Sequence, residues 1–568
     1  MSQPTPSFTR FYQPGVPSDI VMPKGSLVDL YEKSVAQAGS SIATEFFGHT
    51  KTYKQLGDEI SRAAEGLRQL GVRRGDRVAI ILPNCPQHVV AFYAILRLGA
   101  IVVEHNPLYT RRELRHMFED HAARVAICWD VAVKNLQNQP DDIELVHIVS
   151  VKLLDEFPAS LRMALSLPVP SLRAKRRAMT APTKGTISWK KLLRNRGISQ
   201  KRPRPSLDDI AAIQYTSGTT GQPKGAILTH RNLYCNALQG EAWMHGAEYR
   251  KEVFYAVLPM FHAFGMTLFL TYGILKQAHI VLFPNFDPAM VVSTAKKTPP
   301  TVFCAVPPIF EKTAETAKAK NVSLHSAKFC ISGAMTLPES TVTLWESQSG
   351  GLLVEGYGMT EASPIITGNP FWETRRTGTI GVPFPSTQVK VVSLDDPTVE
   401  VAPDTRGELL AKGPQVFQGY WNNPYETEIT LVQDGWLRTG DIVTRDEDGF
   451  ITIVDRVKEL IIVGGFNVSP TEVEIVLRSN QAVADASVVG LPVASGSERV
   501  VAAVVPRDGV KIDPQALRAF CRERLTMYKV PREIHVFDDL PKSMLGKVLR
   551  SQVRDMILAQ NKTAEPAA

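Results

Sequence analysis

Residues 215–226 read YTSGTTGQPKGA and bring together the groups that hold a polyphosphate. Thr216, Ser217, Thr219 and Thr220 supply four hydroxyls, Gly218 and Gly221 supply pliable backbone, and Lys224 adds a positive charge. Glycine lets successive backbone N–H groups turn towards one anion with no Cβ in the way, and hydroxyls add neutral donors around it. A flexible polar turn is the ordinary fate of such a cluster. Here an apolar run, Ile210 to Ile213, precedes the cluster, and the Lys follows Pro223, which favours a built loop. The common nucleotide P-loop is excluded, because it needs Gly before its Lys and Ser or Thr after it. Pro223 and Gly225 stand in those places. Ala226 to Leu228 read as extended and Thr229 as a helix cap, so the loop should join two strands.

A second loaded stretch is EGYGMTE, 355–361, in which Gly356 and Gly358 free the face of Tyr357 for a flat ring while Thr360 and Glu361 offer a hydroxyl and a carboxylate. A cation bridging phosphates needs only one or two protein oxygens, which Glu361 and Thr216 could supply. Further along are GWLRTGDIV (435–443) with Asp441, DRVKELIIVGGFNVSP (455–470) with Arg456, Lys458, Gly464 and Gly465, and LPKSMLGKVLR (540–550) with Lys547. Taken singly, each passes as a turn or a solvated surface group. His262, in LPMFHAFG, is as readily a satisfied core histidine as a site residue.

Together these segments resemble the adenylate-forming superfamily of acyl-CoA ligases, peptide-synthetase adenylation domains and luciferases. The resemblance implies that 216–224 grip the β- and γ-phosphates of ATP, that Thr360 meets the α-phosphate, and that Glu361 with Thr216 holds Mg²⁺. It places Ser332, Gly333, Ala334, Gly356 and Tyr357 around adenine, and Asp441 and Arg456 at the ribose. Lys458 falls at the interdomain pivot, where many relatives have Asp. Gly464 and Gly465 line the path of the thiol, Lys547 is the catalytic lysine, and His262 lies near the acyl pocket. NPLYTRRELRHM (106–117), GPQVFQGYWNNP (413–424) and MYKVPREI (527–534) extend the likeness over nearly the whole chain, and it is strongest to bacterial long-chain fatty-acid CoA ligases. The activity implied is ATP-dependent ligation of a fatty acid to CoA through an acyl-AMP. Aryl or medium-chain ligation, delivery of the adenylate to a separate carrier protein, and a non-enzymatic membrane adaptor remain as alternatives. Trp243 stays unassigned.

The elements that must position these groups form an α/β fold. Apolar runs at Val78 to Leu82, Ala100 to Val103 and Val125 to Cys128 alternate with helical stretches at His88 to Leu98 and Arg111 to Glu119, and further strands fall at Ile280 to Phe283, Val302 to Val306 and Phe329 to Ile331. Ser26 with Asp29 marks a helix start whose inward stripe is Leu27, Leu30, Tyr31 and Val35. The resemblance divides the chain into a large N-terminal domain, 1–454, of stacked α/β sheets with a β-barrel-like subdomain, a hinge at 455–460, and a mobile α+β cap at 461–568.

The length of 568 residues, 44% hydrophobic and 21% charged, describes a globular protein and excludes disorder and fibre. Six scattered cysteines and an N-terminus without a signal-peptide core suggest a reducing, cytoplasmic setting. Val253 to Leu275 carries no charge and is long enough to span a bilayer, yet Pro259, His262 and Gly265 break it, so it reads as core. The net charge of +7 is local: 157–206 holds 13 Lys or Arg and no acid, leaving −6 on the rest. That segment suits either a solvated, partly disordered insertion or peripheral contact with an anionic membrane at its inner face. No aromatic-rich or zinc module for nucleic acid is present. A homodimer is compatible with the sequence.

Overall fold

The computed structural model describes residues 7–137, 142–216, 223–456, 459–463, 466–493, 498–525, 527–543 and 546–564. Internal packing divides the chain into two compact units. The first comprises residues 1–389, 411–438 and 448–450, and the second 390–410, 439–447 and 451–568.

Two large sheets make up the first unit. One has seven strands in the order Ile187–Ser188, His147–Val151, Val125–Trp129, Arg77–Ile81, Ile101–Glu104, Ile210–Thr216 and Lys224–Thr229. All are parallel except the last, which returns antiparallel. The other has nine strands, ordered Val382–Pro383, Ile365–Gly368, Leu353–Gly358, Phe329–Ser332, Val302–Ala305, Val253–Ala256, His279–Leu282, Ile42–Phe46 and His49–Thr52. Its middle is parallel and its edges antiparallel. Parallel strands joined by helices are buried on both faces, which is why they read as continuous apolar runs.

The alternation in the sequence is realised element by element. The helix Leu27–Ala38 begins with a capping box in which Asp29 accepts from the Ser26 N–H at 2.8 Å and Ser26 Oγ accepts from Val28 N–H at 3.2 Å. The charge-free run 253–275 is a strand followed by a wide-turned helix, Met266–Tyr272, every residue of which is buried in protein. Among the described residues no helix is long and apolar enough to cross a membrane. All six cysteines are free and buried.

Among its described residues the basic segment contains three helices, Ala159–Ala164, Pro170–Met179 and the single turn Trp189–Leu192. In the second unit, Val483–Pro492, Glu498–Pro506 and Glu533–Val536 form a three-stranded sheet. The helices Pro470–Arg478 and Pro514–Arg522 cover it, and Val473, Leu477, Val488, Val500 and Leu517 meet in its core.

Candidate active site

The phosphate stretch occupies a hairpin. Ile210–Thr216 and Lys224–Thr229 pair antiparallel, with Thr216 opposite Lys224, so the loop springs from the end of a parallel sheet and returns to it. Thr229 then caps the helix His230–Trp243 in a reciprocal box with Asn232. Ser217, Gly218, Thr219, Thr220 and Gly221 lie outside the described residues. Thr216 Oγ1 donates to the Lys224 carbonyl at 3.5 Å.

Strand pairing also assembles the expected purine wall. Phe329–Ser332 and Leu353–Gly358 run parallel with Ser332 opposite Glu355, so the chain leaves the first strand at Gly333 and Ala334 beside Gly356 and Tyr357, which stay in the second and pair with Gly368 and Thr367. A Cβ on Gly333 would come within 3.0 Å of Phe264 and 3.3 Å of the Gly356 carbonyl. One on Gly358 would strike the Pro364 carbonyl at 2.0 Å. At Gly358 only glycine fits, whereas at Gly333 a side chain would require the Phe264 ring to give by a few tenths of an ångström. Ala334 sits at φ +65°, and the Ser332 hydroxyl is buried with no hydrogen-bond partner among the described residues.

Thr360 and Glu361 follow in a single 3₁₀ turn. The Glu361 carboxylate is buried and accepts a hydrogen bond from the Tyr420 hydroxyl at 2.7 Å, while its carbonyl accepts from Phe417 N–H at 2.8 Å. Burial first, and then the Glu361 charge, push the Tyr420 hydroxyl above its ordinary pKa. Lys224 forms an ion pair with Glu426, both side chains nearly buried, and its ammonium lies 5.7 Å from the centre of the Tyr420 ring. Tyr420 and Glu426 were not singled out from the sequence. Their stretch, 413–426, runs beside Lys224–Thr229 and is held by Ile227 N–H to Gly419 O at 2.9 Å and Trp421 N–H to Gly225 O at 2.7 Å. The available signal was the cluster of aromatic and amide residues in GPQVFQGYWNNP, which carries no chemistry of its own until it is laid against the hairpin.

A narrow apolar cavity of about 20 Å³ adjoins the residues expected at the purine, lined by Phe264, Leu268, Ile331, Trp243 and Phe384 among others. Trp243, unassigned from the sequence, stacks on Phe384 with centroids 4.2 Å apart, meets Tyr12 edge-on at 5.0 Å, and donates its indole N–H to the Asn369 carbonyl at 3.1 Å. His262 caps the short helix that leads to this cavity. Its Nδ1 accepts from Phe264 N–H at 3.4 Å, and burial lowers its pKa to about 4, so the ring is neutral at neutral pH. Asn84 fixes the approach to His262, donating to the Ala256 and Leu258 carbonyls and accepting from Met260 N–H, each at 2.8 Å.

In the second unit, Asp441 lies opposite Arg456 in an antiparallel pair of strands, so the two residues expected at the ribose are cross-strand neighbours. Asp441 is buried, and its N–H donates to Thr439 Oγ1 at 3.1 Å. Lys547 ends a tight turn: Gly546, at φ +82°, donates its N–H to the Ser543 carbonyl at 2.8 Å, and Lys547 N–H donates to Ser543 Oγ at 3.2 Å. The helix after it, Arg550–Ala564, is anchored by Arg550 on both oxygens of Glu474, at 3.0 and 2.8 Å. Lys458, Gly464 and Gly465 lie outside the described residues, as does the Arg456 side chain.

A single hard carboxylate with a nearby hydroxyl suits a Mg²⁺ ion that takes most of its ligands from phosphates and water. Glu361 and Thr216 have that chemistry. Among the described residues no group of three or more His, Cys, Asp and Glu forms a metal cage.

Residues 31–421 match the AMP-binding enzyme family and residues 472–547 the AMP-binding enzyme C-terminal domain. The chain is 36% identical to a long-chain-fatty-acid–CoA ligase of Bacillus subtilis, over 95% of this chain and 96% of that one. It is 37% identical to the enzyme of the same description from Escherichia coli O6:H1, over 96% and 97%. A feruloyl-CoA synthase of Amycolatopsis is 32% identical over 89% and 94%. Among solved structures, an anthranilate CoA ligase in complex with anthranoyl-AMP superposes with a TM-score of 0.80 at 25% identity, covering 95% of this chain and 99% of that one. The O-succinylbenzoate coenzyme A synthetase of Bacillus subtilis, in complex with ATP and magnesium, gives 0.74 at 26%, over 93% and 99%. With both family domains matched and relatives alike from end to end, the chain belongs to the AMP-binding enzyme family and is an acid–thiol ligase.

Proposed function

We propose that this ligase, which takes ATP and CoA as substrates and works with Mg²⁺, joins a long-chain fatty acid to CoA through an acyl-adenylate. The observation that carries the acyl assignment is the apolar cavity beside Gly333 and Gly356, walled by aliphatic and aromatic side chains. The long-chain-fatty-acid–CoA ligases that match over nearly the whole chain support the same reading.

A carboxylate cannot acylate a thiol directly, because its leaving group would be oxide. Attack of the carboxylate on the α-phosphate of ATP forms the acyl-adenylate and expels pyrophosphate. The hairpin residues 216–224 grip the β- and γ-phosphates, and Thr360 meets the α-phosphate. Glu361 and Thr216 would hold Mg²⁺, which when bound would supply charge neutralisation for the departing phosphates. Tyr357 with Ser332 to Ala334 flanks adenine, and Asp441 and Arg456 hold the ribose. Lys547 spans the carboxylate and the α-phosphate as charge builds between them.

A thiol of pKa near 8.5 then attacks the activated carbonyl and expels AMP. For this step Lys458, within the hinge 455–460 that separates the N-terminal domain from the cap, is the pivot that withdraws Lys547 and presents Gly464 and Gly465 along the thiol's path. His262, neutral and capping the short helix that carries the cavity-lining Phe264, shapes that path.

A second reading, ligation of aromatic acids, is favoured by the feruloyl-CoA synthase and anthranilate CoA ligase likenesses. Release of AMP across a panel of palmitate, oleate, octanoate, ferulate and anthranilate with CoA decides between them. Turnover of the aromatic acids with none of palmitate or oleate overturns the fatty-acyl assignment. Adenylate that accumulates in the presence of CoA without thioester points instead to delivery to a carrier protein.

A further inference from the structure

We infer that Arg550 is the positioning residue of Lys547: its guanidinium ties the turn that carries the lysine to both ends of the stretch 455–460 proposed as the hinge. Its role rests on the one proposed for Lys547 in adenylation.

The turn fixes its own shape. Ser543 N–H donates to the Lys547 carbonyl at 2.7 Å, Lys547 N–H donates to Ser543 Oγ at 3.2 Å, and Leu549 N–H donates to the Pro541 carbonyl at 2.8 Å, so 541–549 closes on itself. Val548 packs against the core formed by Val489, Leu491 and Val553, which sets the depth of the turn but not its bearing, because apolar contact is non-directional. The bearing falls to the next polar anchor, Arg550, three residues beyond the lysine. Its Nε and Nη2 donate to the two oxygens of Glu474 at 3.0 and 2.8 Å, Nη2 also donates to Thr471 Oγ1 at 3.2 Å, and Nη1 donates to Glu459. Thr471 Oγ1 donates in turn to Asp455 Oδ1 at 3.4 Å. The Glu474 side chain is 5% exposed and accepts from Val488 N–H at 2.8 Å, and a carboxylate so buried is costly without its cation. Arg550 is thereby held in one place. A planar fork of several N–H donors reaches all these partners at once, as the point charge of an ammonium does not. Glu459 and Asp455 flank Lys458 in sequence, and all of these groups belong to the second unit. One side chain therefore references the lysine turn to the residues on either side of the proposed pivot. A misplacement of about 1 Å can cost about 10²-fold in rate, so this anchor governs the lysine without touching substrate.

A double-mutant cycle of Arg550→Gln with Lys547→Ala tests the assignment, read by pyrophosphate exchange in the full chain with an acid that the wild type turns over. Arg550→Gln alone is expected to lower kcat for adenylation by about 10- to 10²-fold with the KM for ATP unchanged. Thioester formation from preformed acyl-adenylate should stay within about twofold of the wild type, since the lysine is withdrawn for that step. In the Lys547→Ala background the same substitution should cost less than about twofold, because the group it positions is gone. Where a lost thermal transition shows that Arg550→Gln is unfolded, Glu459→Gln takes its place in the cycle. That variant keeps the pair of Arg550 with Glu474 and should lose about 3- to 10-fold in adenylation, the range of one hydrogen bond.

Equal factors in the wild-type and Lys547→Ala backgrounds overturn the assignment, and so does an equal loss in both half-reactions, which marks a general loosening of the second unit. If Lys547→Ala is impaired while Arg550→Gln adenylates as the wild type does, the positioning role falls and the lysine keeps its own. If Lys547→Ala adenylates normally, the role of the lysine falls and that of Arg550 with it.

Discussion

Lys224 has a partner that competes with the role proposed for it. In the free protein its ammonium pairs with Glu426, with side-chain exposures of 9% and 12%. Removing one member of a buried pair costs roughly 3–5 kcal/mol. In Glu426→Gln the amide oxygen still accepts from the ammonium, and the Tyr420 ring lies 5.7 Å away. We therefore expect a smaller loss, about 1–2 kcal/mol, because a hydrogen bond to the ammonium, worth roughly 1.5–3 kcal/mol, is retained. If Lys224 exchanges Glu426 for phosphate, that loss falls on the free enzyme and vanishes when ATP supplies the missing anion. Binding of ATP then tightens by about 5- to 30-fold in Glu426→Gln, whereas Lys224→Gln weakens it. Calorimetric titration of wild type and both variants with a non-hydrolysable ATP analogue and Mg²⁺ measures this directly, alongside thermal unfolding without nucleotide. Weaker binding in Glu426→Gln, to the extent seen in Lys224→Gln, would refute the reasoning. Glu426 would then aim the lysine at its ligand instead of withholding it.

Lys547→Ala should lose about 10²- to 10³-fold in adenylation, measured by pyrophosphate exchange, and retain thioester formation from preformed acyl-adenylate. The reverse pattern would remove the lysine from the first step. Trp243→Ala enlarges the cavity proposed to take the acyl chain and should shift the acid preference towards longer chains, at a stability cost of about 3–5 kcal/mol; an unaltered chain-length profile in kcat/KM would show that the indole is only core. Burial lowers the pKa of His105 to about 3 and of His230 to about 4, and holds His121 well below 6.5. The unfolded chain takes up these protons as pH falls through about 6.5 and the folded one does not, so stability declines from there towards pH 4, by roughly 1 kcal/mol per ring at pH 5.5. A thermal midpoint that stays level between pH 7.5 and 5.5 contradicts the neutral assignment.

Much of the site was legible because its motifs are local. YTSGTTGQPKGA lies at a strand end and EGYGMTE runs from a strand into a turn, and the hydroxyls, glycines and charges they need are contiguous in sequence. The capping boxes at Ser26 and Thr229 and the alternation of apolar runs with helices were readable for the same reason. Partnerships across the fold were not. Glu426 lies about two hundred residues from Lys224, and no periodicity links them. Asn84 looks like a turn residue until its amide is seen to clasp the loop before His262. The basic segment showed charge with apolar Leu161, Met163, Leu165 and Leu167 beside it, at a spacing of two that marks no helical face, so its helices were hidden. What fixes them is their burial at Phe157 and Leu165 and the hydrogen bonds at their far end, none of which is a local signal.

The stretch 413–426 gives those partnerships a common cause. It was recognisable only as a block of family likeness, with no reactive group that demanded attention. Laid along Lys224–Thr229, it touches both charged residues proposed for the site in the first unit: the backbone of Phe417 meets Glu361, the Tyr420 hydroxyl meets the Glu361 carboxylate, and Glu426 meets Lys224. A buried carboxylate and a nearly buried ammonium are each costly without a partner. This strap satisfies both while joining the two motifs that are proposed to share one nucleotide. A change in what Lys224 binds is therefore expected to reach Glu361 through Tyr420, whose hydroxyl contacts one group and whose ring lies beside the other. Phosphate and metal binding should accordingly be thermodynamically coupled in this chain, because the residues proposed for each share a protein partner.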